Sequence, residues 1–288
     1  MEDGVLGVLR TVLDGTVEAV GRTIADHGGF DPALGSPAAR EIAEESNFAS
    51  PLNDHPVQTT YSVALMRLGA GIDHTQSLVR LLEEPPNIFG SAGSARTVIE
   101  TSARAWWLLD PGVDTRTRVA RGLSERIANF KEQGRIPIPA IQAHSKKRLD
   151  RLVHGLASTG FVVTTNRKGI PLHVEQAAIP TAIDVIRAQL GDKGEVAYRD
   201  LSAVAHGTQH GIVTRLERVG TVAGHPDITL MKPRVDEVPI ANNIGVALLA
   251  LWEAFDRRFR IYGWGRSYWE AFQIEAKRTL QPIYLRDT

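Results

Sequence analysis

The chain has no cysteine among its 288 residues. This absence excludes disulfide bonds, thiolate metal ligands and a cysteine nucleophile. Proteins without disulfides are typical of reducing compartments, so the composition predicts a cytoplasmic protein with no disulfide-linked partner.

The chain also lacks an excess of charge of either sign. Lysine plus arginine and aspartate plus glutamate each number 33, which gives a formal net charge of zero and a pI near 7.2. Proteins that coat nucleic acids through electrostatics carry a positive excess, because neutralisation of phosphates dominates their affinity. The composition therefore argues against a protein that binds nucleic acid over much of its surface, and it is compatible with a local basic site.

Long apolar runs are missing as well. The most apolar stretch, residues 244–252, is far shorter than the roughly twenty residues that cross a bilayer as a helix. The N-terminal sequence MEDGVLGVLR carries acidic residues where a secretory signal would carry basic ones. We therefore expect no membrane segment and a cytoplasmic location.

The sequence does contain helical periodicity. Apolar residues recur at spacings of three and four over most of the chain, which is typical of amphipathic helices. Predicted helices cover residues 3–27, 61–83, 92–109, 114–132, 140–158, 175–190, 194–215, 238–261 and 266–279. Two segments, FVVTTNRKGIPLHV and residues 216–234, have the alternation and turn residues of β-hairpins. The predicted fold class is mainly α, a multi-helix bundle with two small β-hairpins.

The N-terminal part differs in composition from the rest. Glycine and proline punctuate residues 28–60, and a short helix is expected near residues 38–46. We therefore predict an N-terminal helix plus a Gly/Pro-rich linker over residues 1–60, and a main helical-bundle domain over residues 61–288.

One segment, EVAYRDLSAVAHGTQHG at residues 195–211, has a pattern that suggests chemistry. At about 100° per residue, Arg199 and His206 lie almost directly above each other on one face of a helix. Three further polar residues lie close to the same line: Glu195, Ser202 and His210. The opposite face, which is the predicted core face, consists of Tyr198, Leu201, Ala205 and Ile212.

This segment resembles the signature of the HEPN superfamily of helical proteins, in which an arginine and a polar residue are followed by a histidine. The matching residues are Arg199, Asp200, His206 and Gly207. Asp200 stands where asparagine is common in the family. Many HEPN proteins are metal-independent ribonucleases that act as dimers. The resemblance therefore implies a homodimer without a cofactor, RNA or a nucleotide as partner, and Arg199 and His206 as catalytic residues. Ser202, which lies between them on the same face, is a third candidate catalytic residue.

The chemistry of RNA cleavage explains why such a pair is needed. A histidine can transfer a proton at the ribose 2′-hydroxyl or at the leaving 5′-oxygen. An arginine can bind the phosphate and stabilise the negative charge that develops on it. The structural alternative is a solvated helix face, on which Arg199 pairs with Glu195 or Asp200 and His206 caps the helix or lies in the core.

A second polar stripe lies on the helix predicted over residues 92–109. It consists of Arg96, Glu100, Arg104 and Trp107. Arginine and tryptophan both stack on planar groups, so this stripe, together with His210, is a predicted binding surface for a planar or anionic ligand. A salt-bridged solvent face explains the same spacing. The next helix carries a basic strip that is either a phosphate-binding patch or a solvated face: Arg116, Arg118, Arg121 and Arg126.

Two other function classes stay open. His206 and His210 have the four-residue spacing that lets two imidazoles bind one metal ion, as in a small-molecule or metal-dependent enzyme with a pocket in the bundle. Candidates for a third ligand are Asp73, His74, Glu100 and Glu125. The other class is a non-catalytic, dimeric interaction protein that uses the same helix as its dimer contact.

Overall fold

The computed structural model describes residues 4–49 and 55–284, which form eleven α-helices and two two-stranded antiparallel sheets. The first seven helices are α1 (Val5–Asp26), α2 (Pro37–Ala43), α3 (Ser46–Ala49), α4 (Pro56–Leu81), α5 (Ile88–Leu108), α6 (Thr115–Gln133) and α7 (Pro139–Ala157). Next come β1 (Val163–Thr165), β2 (Pro171–Val174), α8 (Ala182–Ala205) and α9 (Gln209–Val213). The last elements are β3 (Leu216–Val222), β4 (His225–Pro233), α10 (Glu237–Tyr262) and α11 (Ser267–Tyr284). The predicted fold class is confirmed.

Several helix boundaries differ from the prediction, and local capping explains two of them. Helix α5 begins four residues early, because the side chain of Asn87 accepts a hydrogen bond of 2.8 Å from the backbone N–H of Gly90. The helix predicted to start at residue 175 begins only at Ala182. There, Thr181 and Asp184 form a capping box, in which each side chain accepts a hydrogen bond from the other's backbone N–H.

Helix α10 is central to the core and packs against α1, α5 and α8. Its buried aromatic residues include Trp252, Phe255 and Phe259, which contact the ring of Trp269 on α11. By length and composition, α10 is the one helix of residues 4–49 and 55–284 that could cross a membrane, although 67% of its most apolar stretch is buried within the protein. A core helix passes the same test, so the expected lack of a membrane segment stays a prediction.

The N-terminal region packs onto the bundle. Helix α1 contacts α4, α10 and α11, and its Leu9 and Leu13 belong to the same hydrophobic core. Helices α2 and α3 lie within the predicted linker, and Glu45 caps α4 by accepting hydrogen bonds from the backbone N–H groups of Val57 and Gln58 at 2.9 Å. Residues 50–54 of the linker lie outside the described residues. The division of the chain at residue 60 stays a prediction.

Helices α4 and α6 approach each other closely at Gly122 and Thr60. A Cβ atom at Gly122 would lie 1.9 Å from Thr60 Oγ1 and 2.8 Å from Thr60 Cβ. Because the clash involves atoms next to the backbone, we expect Gly122→Ala to lower the free energy of unfolding by about 1 to 3 kcal/mol. Urea denaturation measures this change.

The matched control is Gly69→Ala on α4, where an added Cβ meets nothing within 4 Å. Alanine is the better helix former, so this control is expected to be neutral or to stabilise the protein by up to about 1 kcal/mol. Equal stability of Gly122→Ala and the wild type would contradict the close approach of α4 and α6.

Candidate functional site

The segment singled out in the sequence forms the second half of α8 and the short helix after it. The backbone leaves the helical conformation at Gly191, where φ is 67°, so α8 consists of two helical halves. Helix α8 packs against α5 and α10. The predicted core face is correct for Tyr198 and Leu201, which are buried, and wrong for Ala205 and Ile212, which are exposed.

The helix predicted over residues 194–215 ends at Ala205. His206 is its C-cap residue, and Gly207 adopts a φ of 63°, a left-handed conformation that commonly ends helices. Helix α9 then begins behind Thr208, whose Oγ1 accepts a hydrogen bond of 3.1 Å from the backbone N–H of Gly211. The prediction of one continuous helix is wrong, because Gly207 ends the first helix and Thr208 caps a second one.

Gly211 is required by close packing. A Cβ atom there would lie 2.4 Å from the carbonyl carbon and oxygen of Ala203. Helix α9 therefore rests directly on the end of α8. This contact fixes the turn that follows His206.

Arg199 lies on the exposed side of α8, with 62% of its side chain accessible. Its Nε donates a hydrogen bond of 2.7 Å to Glu195 Oε1, one turn earlier. Glu195 also accepts from Arg187, and the hydrogen bonds from these two arginines lower the pKa of the Glu195 carboxyl. Nη1 and Nη2 of Arg199 form no hydrogen bond within the described residues, so both can donate to an anion.

His206 is exposed, two turns after Arg199 and on the same side of the helix. Its backbone N–H donates to the carbonyl of Ser202 at 3.0 Å, which keeps it in the helical register. Its imidazole forms no hydrogen bond with another described residue. Ser202 is half-buried one turn earlier, whereas His210 is exposed on α9. Since the chain turns at Gly207, the two histidines do not share one helical face.

Asp200 is engaged by the protein and does not add a free negative charge beside Arg199. Its Oδ2 accepts hydrogen bonds from Arg215 and from Asn243 Nδ2, the latter at 2.7 Å. Arg215 follows α9, and Asn243 lies on α10. Sequence reasoning missed both partners, because contacts 15 and 43 residues apart leave no periodic signal.

A polar pocket of about 370 Å³ lies between α4, α5 and the end of α8. Its lining residues are His74, Gly90, Gly93, Ser94, Arg96, Thr97, Glu100 and Ala205. Arg96 and Glu100 belong to the predicted ligand stripe, and Ala205 directly precedes His206. The pocket therefore adjoins the predicted catalytic segment.

The pocket wall combines charged and neutral hydrogen-bonding groups. Arg96 donates to Glu100 at 2.8 and 3.1 Å, and the hydroxyl of Tyr198 donates to the same carboxylate at 2.6 Å. Burial, together with the hydrogen bond to Glu100, raises the pKa of Tyr198. His74 also lines the pocket, and its Nδ1 is buried without a hydrogen-bond partner among the described residues.

The other half of the predicted stripe pairs with α6. Arg104 lies 3.7 Å from Glu125, whose second oxygen accepts from Arg67, and burial lowers the pKa of Arg104. Trp107 lines a separate pocket of about 760 Å³ between α6 and the first hairpin. There, the guanidinium of Arg121 lies 5.0 Å from the Trp107 ring centre. The predicted stripe therefore does not form one surface: its first two residues line the polar pocket, and its last two contact α6.

The arginines of α6 do not form a free basic strip. Three of them pair with carboxylates: Arg116 with Glu175, Arg118 with Glu41, and Arg121 with Asp110. Arg126 also has an interaction partner. Arg118 is almost fully buried, so neither a phosphate-binding patch nor a solvated face describes this set of residues.

Within residues 4–49 and 55–284, no three His, Asp or Glu side chains lie close enough together to hold a metal ion. His206 and His210 supply two ligands at most, and none of the four candidate third ligands joins them in such a group. The metal hypothesis therefore has no geometric support in the described part of the chain.

Comparisons with known proteins reveal no relative of this chain. No family model, curated protein or solved structure matches it. The HEPN resemblance thus depends on residues 199–207, and the homodimer and the RNA or nucleotide partner that it implies stay predictions, as does the cytoplasmic location.

Proposed function

We propose that the exposed side of α8 and the polar pocket beside it form one site that binds the phosphate and ribose groups of RNA or of a nucleotide. At this site the protein cleaves RNA without a metal ion, with Arg199 and His206 as catalytic residues and Ser202 beside them. One observation carries the proposal. Within residues 4–49 and 55–284, neither the imidazole of His206 nor the two Nη atoms of Arg199 have a hydrogen-bond partner, and both side chains are exposed on the same side of one helix.

Arg199 is suited to hold a phosphate group. Glu195 accepts a hydrogen bond from its Nε, which restricts the orientation of the planar guanidinium on this exposed side of the helix. Two parallel N–H donors match two phosphate oxygens and form strong, charge-assisted hydrogen bonds. The same contacts stabilise the charge that builds up on the phosphorus substituents as the bond to the leaving oxygen breaks.

His206 is suited to move a proton. A neutral imidazole accepts the proton of the ribose 2′-hydroxyl, and the protonated ring can return a proton to the leaving 5′-oxygen. Because the 2′-hydroxyl is an internal nucleophile, this reaction does not require a metal-bound water. The exposed position at the end of α8 lets a ribose approach the ring.

The adjoining pocket supplies contacts for the rest of a nucleotide. Its volume of about 370 Å³ lies within the range of small-ligand sites, about 300–1,000 Å³. Gly93 leaves open space, since a Cβ atom there would meet nothing within 4 Å, and Ser94 and Thr97 offer hydroxyl groups. Arg96 adds further N–H donors at the pocket wall, where its positive charge is offset by its partner Glu100.

The structural alternative shares two features with this proposal: Arg199 pairs with Glu195, and His206 caps the helix. This alternative gives no role to the Arg199 and His206 nitrogens that have no hydrogen-bond partner among the described residues. It therefore requires that the affinity for RNA does not change when these nitrogens are removed, whereas the proposal requires a loss.

Replacement of Arg199 by glutamine is expected to weaken binding of a short single-stranded oligoribonucleotide by about five- to thirtyfold, because hydrogen bonds to a charged group are lost. Fluorescence anisotropy at fixed low salt, with an oligonucleotide whose 2′-hydroxyls are methylated to prevent cleavage, measures the affinity. Arg135→Gln is the matched control, since Arg135 is 73% exposed and its carboxylate partner is Glu132. Equal affinities of both variants and the wild type would contradict the proposal.

A further inference from the structure

An apolar groove of about 720 Å³ lies between α8, α10 and α11. Helix α10 contributes the floor, while the second half of α8 and α11 contribute the walls. Its apolar lining includes Val196, Val246, Leu248, Leu249, Trp252 and Leu280. None of the residues proposed for RNA binding or cleavage lines this groove, so it is a separate feature.

Part of the apolar lining is exposed to solvent. Val196 on α8 is 67% exposed, and Leu249 on α10 is 42% exposed. Single exposed apolar residues are normal on a protein surface, but here they face one concavity whose size suits a small ligand. The groove therefore has the shape and chemistry of a binding site for a largely apolar molecule.

Two lysines in the lining make the groove favour a ligand that carries a negative charge. Lys193 stands on the α8 wall and Lys277 on the α11 wall, and neither forms an ion pair or hydrogen bond with another described residue. Among the described residues of the lining, Asp192 is the one acidic side chain, so two positive charges against one negative charge leave an excess of one positive charge. The groove is thus complementary to an anion.

The two walls that carry these lysines both contact α10. Gln189 Nε2 of α8 donates to the carbonyl of Ala250 at 2.8 Å, and the rings of Trp252 and Phe272 of α11 lie 5.9 Å apart. Lys193 follows the first contact point by four residues, across the break at Gly191, and Lys277 follows the second by five residues on α11. A head group in the groove therefore lies between two helices that each carry one lysine of the lining.

We propose that this groove binds an amphipathic anion, an unbranched acyl chain with a carboxylate head. The chain lies on the apolar floor of α10, and the carboxylate lies between Lys193 and Lys277. Lysine suits this arrangement, because its apolar stem covers the groove wall while its ammonium group stays at the solvent boundary.

Isothermal titration with laurate, below the concentration at which it forms micelles, tests the proposal. We expect saturable binding of one laurate per chain. Dodecyltrimethylammonium, which has the same chain length and a positive head, is expected to bind at least about tenfold more weakly. The double variant Lys193→Gln/Lys277→Gln is expected to bind laurate about three- to tenfold more weakly, because exposed ion pairs each contribute modestly.

A bulky residue at the groove mouth provides a second test. Val196→Trp fills the groove from a position that is already exposed, so it does not endanger folding, and it is expected to weaken laurate binding at least about tenfold. Met66→Trp is the matched control, since Met66 is 66% exposed on α4, outside the groove.

Three results would overturn the proposal: no saturable laurate binding, equal affinities of the two tryptophan variants, or equal affinities for the two head groups. Analytical ultracentrifugation tests whether a second copy of the chain occupies the groove instead. A wild-type dimer that Val196→Trp dissociates, without laurate binding to either protein, would assign the groove to a second copy of the chain.

Discussion

Replacement of His206 by alanine is expected to lower the rate of RNA cleavage by at least about 100-fold, since proton transfer by a positioned side chain typically contributes about 10²- to 10⁴-fold. The substitution removes the imidazole and leaves the helix end intact. The hydrogen bond from the backbone N–H of residue 206 to the carbonyl of Ser202 does not involve the side chain, and Gly207 still supplies the left-handed turn. Single-turnover rates on a labelled oligoribonucleotide in excess EDTA measure the effect.

The matched control for this substitution is His144→Ala. His144 is likewise exposed, but it lies on α7, remote in the chain from the proposed site. We expect its cleavage rate to equal that of the wild type. A His206→Ala rate equal to wild type, or equal losses in both variants, would contradict the catalytic role of His206. Circular dichroism of each variant verifies that the helical content is retained.

Replacement of Glu41 by alanine is expected to lower the free energy of unfolding by about 3 to 5 kcal/mol, because it leaves a buried arginine without its carboxylate. Only 2% of the Arg118 side chain is exposed, and its Nε donates to Glu41 Oε2 at 2.7 Å. The hydroxyl of Tyr61 donates to the same oxygen at 2.9 Å. Two buried donors therefore lose their acceptor together.

Arg118 also explains why this loss should affect the whole fold. Its other nitrogens donate to the carbonyls of Leu108 and Asp110 at 2.7 and 2.9 Å, so one guanidinium joins α2, the end of α5 and α6. Urea denaturation measures the change, with Glu132→Ala as the control at an ion pair whose carboxylate is 65% exposed. That control is expected to cost less than about 1 kcal/mol. Similar small losses in both variants would contradict the structural role of the buried pair.

The helices and hairpins could be predicted because their signals are local. Apolar spacing places a helix wherever one face is buried, and turn residues mark the hairpins. The break between α8 and α9 was not predicted, since a glycine such as Gly207 can either end a helix or be tolerated inside it. The contact that favours the break, Gly211 against Ala203, joins two helices and has no signature in the sequence.

Contacts of the candidate site that lie within one helix could be predicted from the sequence, whereas contacts between helices could not. The pairing of Arg96 with Glu100 follows from their four-residue spacing. The turn of Arg104 and Trp107 toward α6 depends on how two helices pack, which spacing within one helix does not reveal. Both interpretations of the basic strip place Arg118 at the surface, and its burial was missed because its partner Glu41 lies 77 residues away in the chain.

The chemical nature of the RNA ends left by the wild-type protein in excess EDTA tests the central claim most directly. Attack by the 2′-hydroxyl forms a bond to phosphorus and releases the 5′-oxygen, which takes up a proton. The account therefore predicts fragments with a 2′,3′-cyclic phosphate and a 5′-hydroxyl from the wild type, and no such fragments from His206→Ala. RNA that stays intact with the wild type, ends with a 5′-phosphate, or cleavage that persists in His206→Ala would contradict it.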